Sequence, residues 1–303
     1  MLDAMNDTLG LALAHKRPTG SNAIARLGRH VLGLAPDWAR KSIDKYGNVW
    51  VDMRRGPHDS VAFMSHLDTV ERDTGPTGAG MTSTGIIHTG GKCVLGADDG
   101  AGVALMAGMI ASGHPALYLF TQDEESGGHG MKYILRSRKL KSRIKGSIDA
   151  IMSLDRKGTK DIVGNQFVGD CASHEFVESL AAQLGMGHKW AYGSYTDGCE
   201  WLGIVPEIVN VSVGYEKAHG PNETLDHGYL AALLPALLKV DWAALPILGP
   251  AVAPMDQAWF EAWDGPTYPI PCDCCGAPDG AEWDDRAAMC LCYSCRGWAS
   301  NVF

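Results

Sequence analysis

Val61-Ala62-Phe63-Met64-Ser65-His66-Leu67-Asp68-Thr69-Val70 is the stretch on which the reading of this chain turns. Its apolar start, Val61 to Met64, predicts a short buried strand, and the strand ends by delivering a histidine and, two residues on, an aspartate. The same form recurs downstream. Ala116 to Phe120 predicts a strand followed by Thr121-Gln122-Asp123-Glu124-Glu125, Ala150 to Leu154 one that ends at Asp155, and Ile208 to Val213 one with His219 in the following loop. Asn48 to Met53 predicts a further strand. Helices are expected between them. Ser21 caps a segment with apolar residues at Ile24, Leu27, Val31 and Leu34, Asp99 to Ala111 is a buried run rich in Ala, Gly and Met, and Ala172 to Leu184 completes the set. Short apolar strands alternating with helices predict an α/β fold, a three-layer sandwich around a central mixed, mostly parallel sheet spanning residues 1–245. Open sheets of this kind carry their sites outside the C-terminal ends of the strands, where these acids and histidines fall.

The bulk composition narrows the function classes. A chain of 303 residues with 46% hydrophobic content is long enough for one large domain and a small appendage. Its formal net charge of −9 disfavours non-specific attraction to nucleic acid or an anionic membrane. No stretch reaches the roughly 18 apolar residues of a membrane span. The start, Met1-Leu2-Asp3-Ala4-Met5-Asn6-Asp7, lacks a basic and then apolar leader, so a cytoplasmic location is expected.

Two histidines and several carboxylates at strand ends form the donor set that a pair of zinc ions needs. Zinc accepts imidazole nitrogen and carboxylate oxygen, and a paired site needs one carboxylate shared between the ions. The adjacent Asp98 and Asp99 both stand as candidates for that bridge.

These residues occur in five ordered motifs. They are His66-Leu67-Asp68-Thr69-Val70, Leu95-Gly96-Ala97-Asp98-Asp99-Gly100-Ala101-Gly102-Val103-Ala104, Phe120-Thr121-Gln122-Asp123-Glu124-Glu125-Ser126-Gly127, Ser153-Leu154-Asp155, and Gly214-Tyr215-Glu216-Lys217-Ala218-His219-Gly220-Pro221-Asn222-Glu223. In this order, over about residues 1–240, the chain resembles the co-catalytic zinc exopeptidases, which include aminopeptidases, tripeptidases, carboxypeptidases of the G type and acylases. The resemblance implies that His66 and Asp155 hold one zinc, Glu125 and His219 the other, and that Asp99, counted from Gly96, bridges them. It implies Glu124 as the general base and Asp68 as a residue that orients His66 without touching metal. Relatives hold the peptide bond after the bridging aspartate in the cis form, which here implies a cis Asp99–Gly100 bond. Tyr195-Thr196-Asp197-Gly198 resembles a segment on the substrate side of relatives, so Asp197 is a candidate substrate contact, with a helix cap as the equal alternative. Larger relatives insert a lid domain between the positions matching Asp155 and His219. Only 63 residues separate the two here, so no lid is expected.

The C-terminal portion has a different character. Proline recurs from residue 246 to 271, which predicts a linker, and residues 272–303 are rich in cysteine. Cys272-x-x-Cys275 and Cys292-x-x-Cys295 have the spacing of a zinc ribbon, so a third, structural zinc is expected on these four thiolates, with Cys274 and Cys290 as possible substitutes. From Ala251 to Phe303 eight acidic residues stand against two arginines, and Trp259, Trp263, Trp283 and Trp298 lie among them. That balance repels phosphate and suits a protein contact, or docking onto the catalytic domain, rather than nucleic acid.

The functional expectation is a zinc-dependent amide-bond hydrolase, an aminopeptidase or small-peptide exopeptidase. The competing readings are an amidase or deacylase acting on an acylated small molecule, and an inactive binding protein of the same fold.

Overall fold

The computed structural model describes residues 1–250 except position 168, together with 282–284 and 289–291. In chain order the elements are α1 (Leu2–Leu13), α2 (Asn22–Leu34), β1 (Arg40–Ile43), β2 (Val49–Asp52), β3 (Val61–His66), β4 (Gly80–Met81), β5 (Ile86–His88), α3 (Ala97–Ala111) and β6 (Leu117–Thr121). Then come α4 (His129–Arg136), α5 (Arg138–Lys141), β7 (Ala150–Arg156), β8 (Asp161–Gln166), β9 (Gly169–Asp170), α6 (His174–Leu184), β10 (Lys189–Tyr192), β11 (Glu207–Ser212), β12 (Tyr215–Glu216), β13 (Thr224–Asp226) and α7 (His227–Lys239).

Among the described residues, the main sheet runs β1-β2-β6-β3-β7-β11-β8-β10, with β9 paired to β8. Strands β6, β3, β7 and β11 are mutually parallel, while β2 and β8 run against their neighbours β6 and β11. The sheet is therefore mixed with a parallel centre. The residues between Asp155 and His219 supply β8, β9, α6, β10, β11 and β12, so that stretch is largely built into the main sheet.

Side-chain alternation sends each strand into two cores. Val61, Phe63, Tyr118, Phe120 and Met152 join residues of α1, α2, α3, α6 and α7 on one face. Ala62, Met64, Leu117, Leu119 and Ile151 join Met131, Ile134, Leu140 and Trp201 on the other. These are the three layers expected. Helix α3 packs closest, and a Cβ at Gly102 would lie 2.0 Å from the Leu154 carbonyl oxygen and 2.5 Å from Ser65 Oγ. Only glycine lets this helix approach β3 and β7 so nearly.

A second sheet, β12-β13-β5-β4, joins the segment after β3 to the hairpin that carries His219. The C-terminal unit, described by itself, contains a two-stranded antiparallel hairpin, β14 (Glu282–Asp284) with β15 (Met289–Leu291), which pairs Trp283 with Cys290. The expected ligands Cys272, Cys275, Cys292 and Cys295 lie outside the described residues. No helix among those described is long and apolar enough to cross a membrane.

Two histidines outside the strand-end cluster are held neutral. Burial lowers the His114 pKa to about 4, and burial with the Lys160 charge does the same for His188. His114 Nε2 accepts from Trp242 Nε1 at 3.0 Å, and His188 Nε2 lies 2.7 Å from the Tyr229 hydroxyl, which itself donates to the Ser212 carbonyl. A histidine with a depressed folded pKa contributes stability that is present above its unfolded value of about 6.5 and is lost as pH falls towards 4. Urea midpoints should therefore drop between pH 7 and pH 4.5, and the double variant His114→Gln/His188→Gln should show a smaller drop than the wild type. Equal drops would remove these histidines as the cause.

Candidate metal centre

The parallel centre of the sheet brings the strand-end residues together. His66 is the last residue of β3, Asp155 lies near the end of β7, and Glu124 and Glu125 follow β6. His219 sits between β12 and β13 with φ 63°, a left-handed turn residue. Asp98 and Asp99 lie at the start of α3 but have non-helical torsions, φ −83° and ψ 105° against φ −111° and ψ 39°. Their carboxylates are thus released from the helix pattern to face different neighbours.

His66 is 2% exposed, and its two ring nitrogens have separate duties. Nδ1 lies 3.1 Å from the backbone carbonyl of Asp68 and 3.6 Å from its carboxylate. That contact suits a protonated Nδ1 and leaves Nε2 as a lone-pair donor. Nε2 faces Asp98 Oδ1 at 3.1 Å and Asp155 Oδ1 at 3.8 Å. The other oxygen of Asp98 lies 3.3 Å from His219 Nε2. One carboxylate therefore offers one oxygen to each of two imidazoles.

Asp99 is fully buried and faces the other way. Its Oδ2 accepts the His66 amide at 3.2 Å and its Oδ1 accepts the Gly102 amide at 3.0 Å. The side chain that spans the two histidines is Asp98, one residue before the position implied by the count from Gly96. The cis peptide bond is likewise Asp98–Asp99 and not Asp99–Gly100, which corrects the expectation by one residue. A count from Gly96 fixes a position in the chain, but not the direction in which two neighbouring side chains leave a kinked backbone.

Among the described residues, two groups of donors could hold a cation, with ligand atoms within 4.8 Å of one another. They are His66, Asp99 and Asp155, and His66, Asp98 and Glu125. Two atoms each bound at about 2.0–2.1 Å to a tetrahedral ion stand roughly 3.3 Å apart, so the Asp98 contacts with both imidazoles have the spacing of ligands on shared ions. Charge points the same way. Burial and then the charge of Asp98 push the Asp155 carboxyl up to about 6. Burial and Asp155 raise Asp99 well above the usual carboxylate range. Burial opposes protonation of His66, yet Asp155, Asp68 and Asp98 outweigh it and raise that imidazole well above its ordinary value. The buried Arg17 guanidinium and the two imidazoles offset part of this negative charge, and a divalent cation would offset more of it. The residues present fit zinc.

Supporting residues hold the donors in place. The Asp155 side chain takes hydrogen bonds from Thr196 Oγ1 at 3.0 Å and the Tyr215 hydroxyl at 3.2 Å, while Asn210 clasps its backbone in both directions. Asp123, with φ 61°, accepts from the hydroxyls of Thr19 and Tyr46 and so anchors the turn before Glu124. The Glu124 amide donates to Asp68 Oδ1 at 3.3 Å, so one aspartate touches both the His66 ring and the expected base. None of Thr196, Asn210, Tyr215 or Asp123 stood out in the sequence as a support. Glu124, His66, Asp155, Ser65, Thr121, Thr196 and Asp197 line one pocket. In it Asp197 is 3% exposed, and its carboxylate takes no backbone amide, with Thr121 the side chain that offers it a hydrogen bond. Burial drives its pKa up to about 7.

The fold and this strand-end cluster define an α/β protein with histidines and carboxylates gathered at the ends of its central parallel strands. No protein-family model matches the sequence, and no curated protein matches it. Solved structures do. The aminopeptidase PepT from Bacillus cereus superposes with a TM-score of 0.63 at 16% identity, over 80% of this chain and 99% of that one. A tripeptidase from Staphylococcus aureus gives 0.62 at 15%, over 78% and 96%. The TET1 peptidase of Pyrococcus horikoshii, which assembles into a tetrahedron or an octahedral shell, gives 0.58 at 16%, over 78% and 98%. At these identities the likeness establishes a shared fold.

Proposed function

We propose that this chain is a two-metal aminopeptidase or small-peptide exopeptidase. The observation that carries the reading is the Asp98 carboxylate set between His66 Nε2 at 3.1 Å and His219 Nε2 at 3.3 Å. The structural neighbours, an aminopeptidase and a tripeptidase, support it.

In this reading His66 and Asp155 would hold one zinc and His219 and Glu125 the other, Asp98 would be shared between them, and Asp99 buttresses the His66 backbone. Metal held by these residues would supply Lewis acidity towards the scissile carbonyl and the attacking water. Glu124 takes the proton of the attacking water and passes it to the leaving amine, a role that needs a carboxylate beside the donors but free of metal. Asp68 keeps the His66 ring in the tautomer that offers Nε2 and steadies the Glu124 backbone. Asp197, buried beside Glu124, suits the α-ammonium of a free amino terminus, since a cation there satisfies a desolvated carboxylate.

Peptides with a free amino terminus should be cleaved faster than the same peptides N-acetylated. Asp197→Asn should raise KM for the free peptides. Glu124→Gln should lower kcat by roughly 10²–10⁴-fold with metal content unchanged. Cleavage of acylated substrates alone would turn the reading to a deacylase, and metal loss in Glu124→Gln would exchange the glutamates.

The two aspartates should separate by metal content. Asp98→Asn should bind less than half the zinc of the wild type after dialysis, and Asp99→Asn should retain more of it at some cost in stability. The reverse order would return the bridge to Asp99.

The cysteine-rich tail belongs to the same proposal as a separate structural site. Its two C-x-x-C pairs are suited to one zinc, and the acidic, tryptophan-rich composition to a protein partner. Truncation near Leu248 should lower the zinc content by one ion per chain. An unchanged content would remove the ribbon.

A further inference from the structure

The metal-centre donors do not explain a second buried carboxylate in the same region. Glu223 is fully buried, and its two oxygens collect three backbone amides. Oε2 accepts Leu95 N at 2.8 Å and Gly96 N at 2.9 Å, and Oε1 accepts Asp98 N at 2.9 Å. The turn with Gly96 at φ 77° points these amides at one spot, a concavity built for an anion. A side chain more than a hundred residues later in the chain fills it.

Glu223 lies four residues beyond His219, in a turn closed by its own amide on the Gly220 carbonyl at 3.1 Å. The chain therefore reaches Asp98 twice from this segment. Glu223 holds the Asp98 backbone, and the His219 ring meets the Asp98 side chain at 3.3 Å. From the other direction comes Arg17, 1% exposed. It donates from Nη2 to the Gly96 carbonyl at 3.0 Å, from Nε to the Leu67 carbonyl at 2.8 Å and from Nη1 to the Ala12 carbonyl at 2.5 Å. Residue 96 is thus held by its amide on Glu223 and by its carbonyl on Arg17. The segments bearing His66, Asp98 and His219 become one rigid piece.

We infer that Glu223 is a positioning residue: it sets the Asp98 carboxylate between the two imidazoles and so fixes the spacing of the two cation positions. This rests on the two-metal reading given above. A carboxylate is needed because it only accepts, with lone pairs enough for three donors. Glutamine offers one oxygen and turns an NH2 towards a backbone N–H, leaving at least one buried amide unsatisfied.

The test uses the full chain loaded with cobalt in place of zinc, because the visible absorption of cobalt reports ligand geometry. Glu223→Gln should bind cobalt about 10–100-fold more weakly and show altered absorption bands, the usual range when a residue supporting metal ligands is removed. Glu223→Asp keeps the charge on a shorter arm, and its affinity should fall between wild type and Gln. Circular dichroism identifies folded protein, and if the Gln variant does not fold, the Asp variant alone must show the weaker affinity and shifted bands. Wild-type affinity and spectrum in a folded variant, even one with a lower Tm, would overturn the inference and leave the two-metal reading standing. A wild-type chain that takes up no cobalt beyond the single ion expected in the cysteine-rich tail would overturn both, which keeps the two failures apart.

Discussion

The structure depends on a single electrostatic constraint. Asp68, Asp98, Asp99 and Asp155 converge on His66 in an interior from which water is nearly absent. Carboxylates brought together in low dielectric either take up protons or acquire a cation. The raised values of Asp155 and Asp99 express the first outcome, and the donor spacing around Asp98 suits the second. The histidines moderate the conflict without resolving it, because an imidazole that takes up a proton loses the lone pair a metal needs.

The fold makes such crowding possible by using rigid elements and spending little loop on it. Four parallel strands lie side by side, and three of them, β3, β6 and β7, present a donor at or within a few residues of their ends. Helix α3 presses its glycine face onto β3 and β7, which brings the Asp98–Asp99 turn down among them. The small sheet β12-β13-β5-β4 then carries His219 to the same place from the far end of the chain. The donors come from five remote segments, so the site exists only once the sheet is complete.

Much of this was legible from sequence for a plain reason. Buried parallel strands must be short apolar runs, and Val61–Met64, Ala116–Phe120 and Ala150–Leu154 match β3, β6 and β7 within one or two residues. The Ser21 cap was legible as well, and its oxygen accepts the Ile24 amide. The register of the aspartate pair was not, because it depends on two torsion angles at the head of α3. Helix α1 went unread although Met5, Leu9, Ala12 and Leu13 form a helical stripe, and α7 was missed behind Pro235. Arg17 left no pattern to detect, since its partners are backbone carbonyls from three separate segments.

Thr196 and Asp197 show how adjacent residues divide support from recognition. The Thr196 hydroxyl is spent on Asp155 Oδ2 at 3.0 Å, which steadies a donor to the cluster. Its neighbour is as deeply buried, yet neither carboxylate oxygen sits on a backbone amide, and Thr121 offers it a side-chain hydrogen bond. Leaving a buried polar group unsatisfied costs about 1–3 kcal/mol, a large part of the stability of any domain. A helix cap would have its oxygens on backbone amides, as Ser173 does on Phe176 and Asp226 does on Tyr229. Asp197 does not, although it opens the 3₁₀ turn Asp197–Trp201. The absence of backbone amides on its oxygens weighs against a cap, and burial meets part of the cost by raising its carboxyl to about 7, where it can stand neutral.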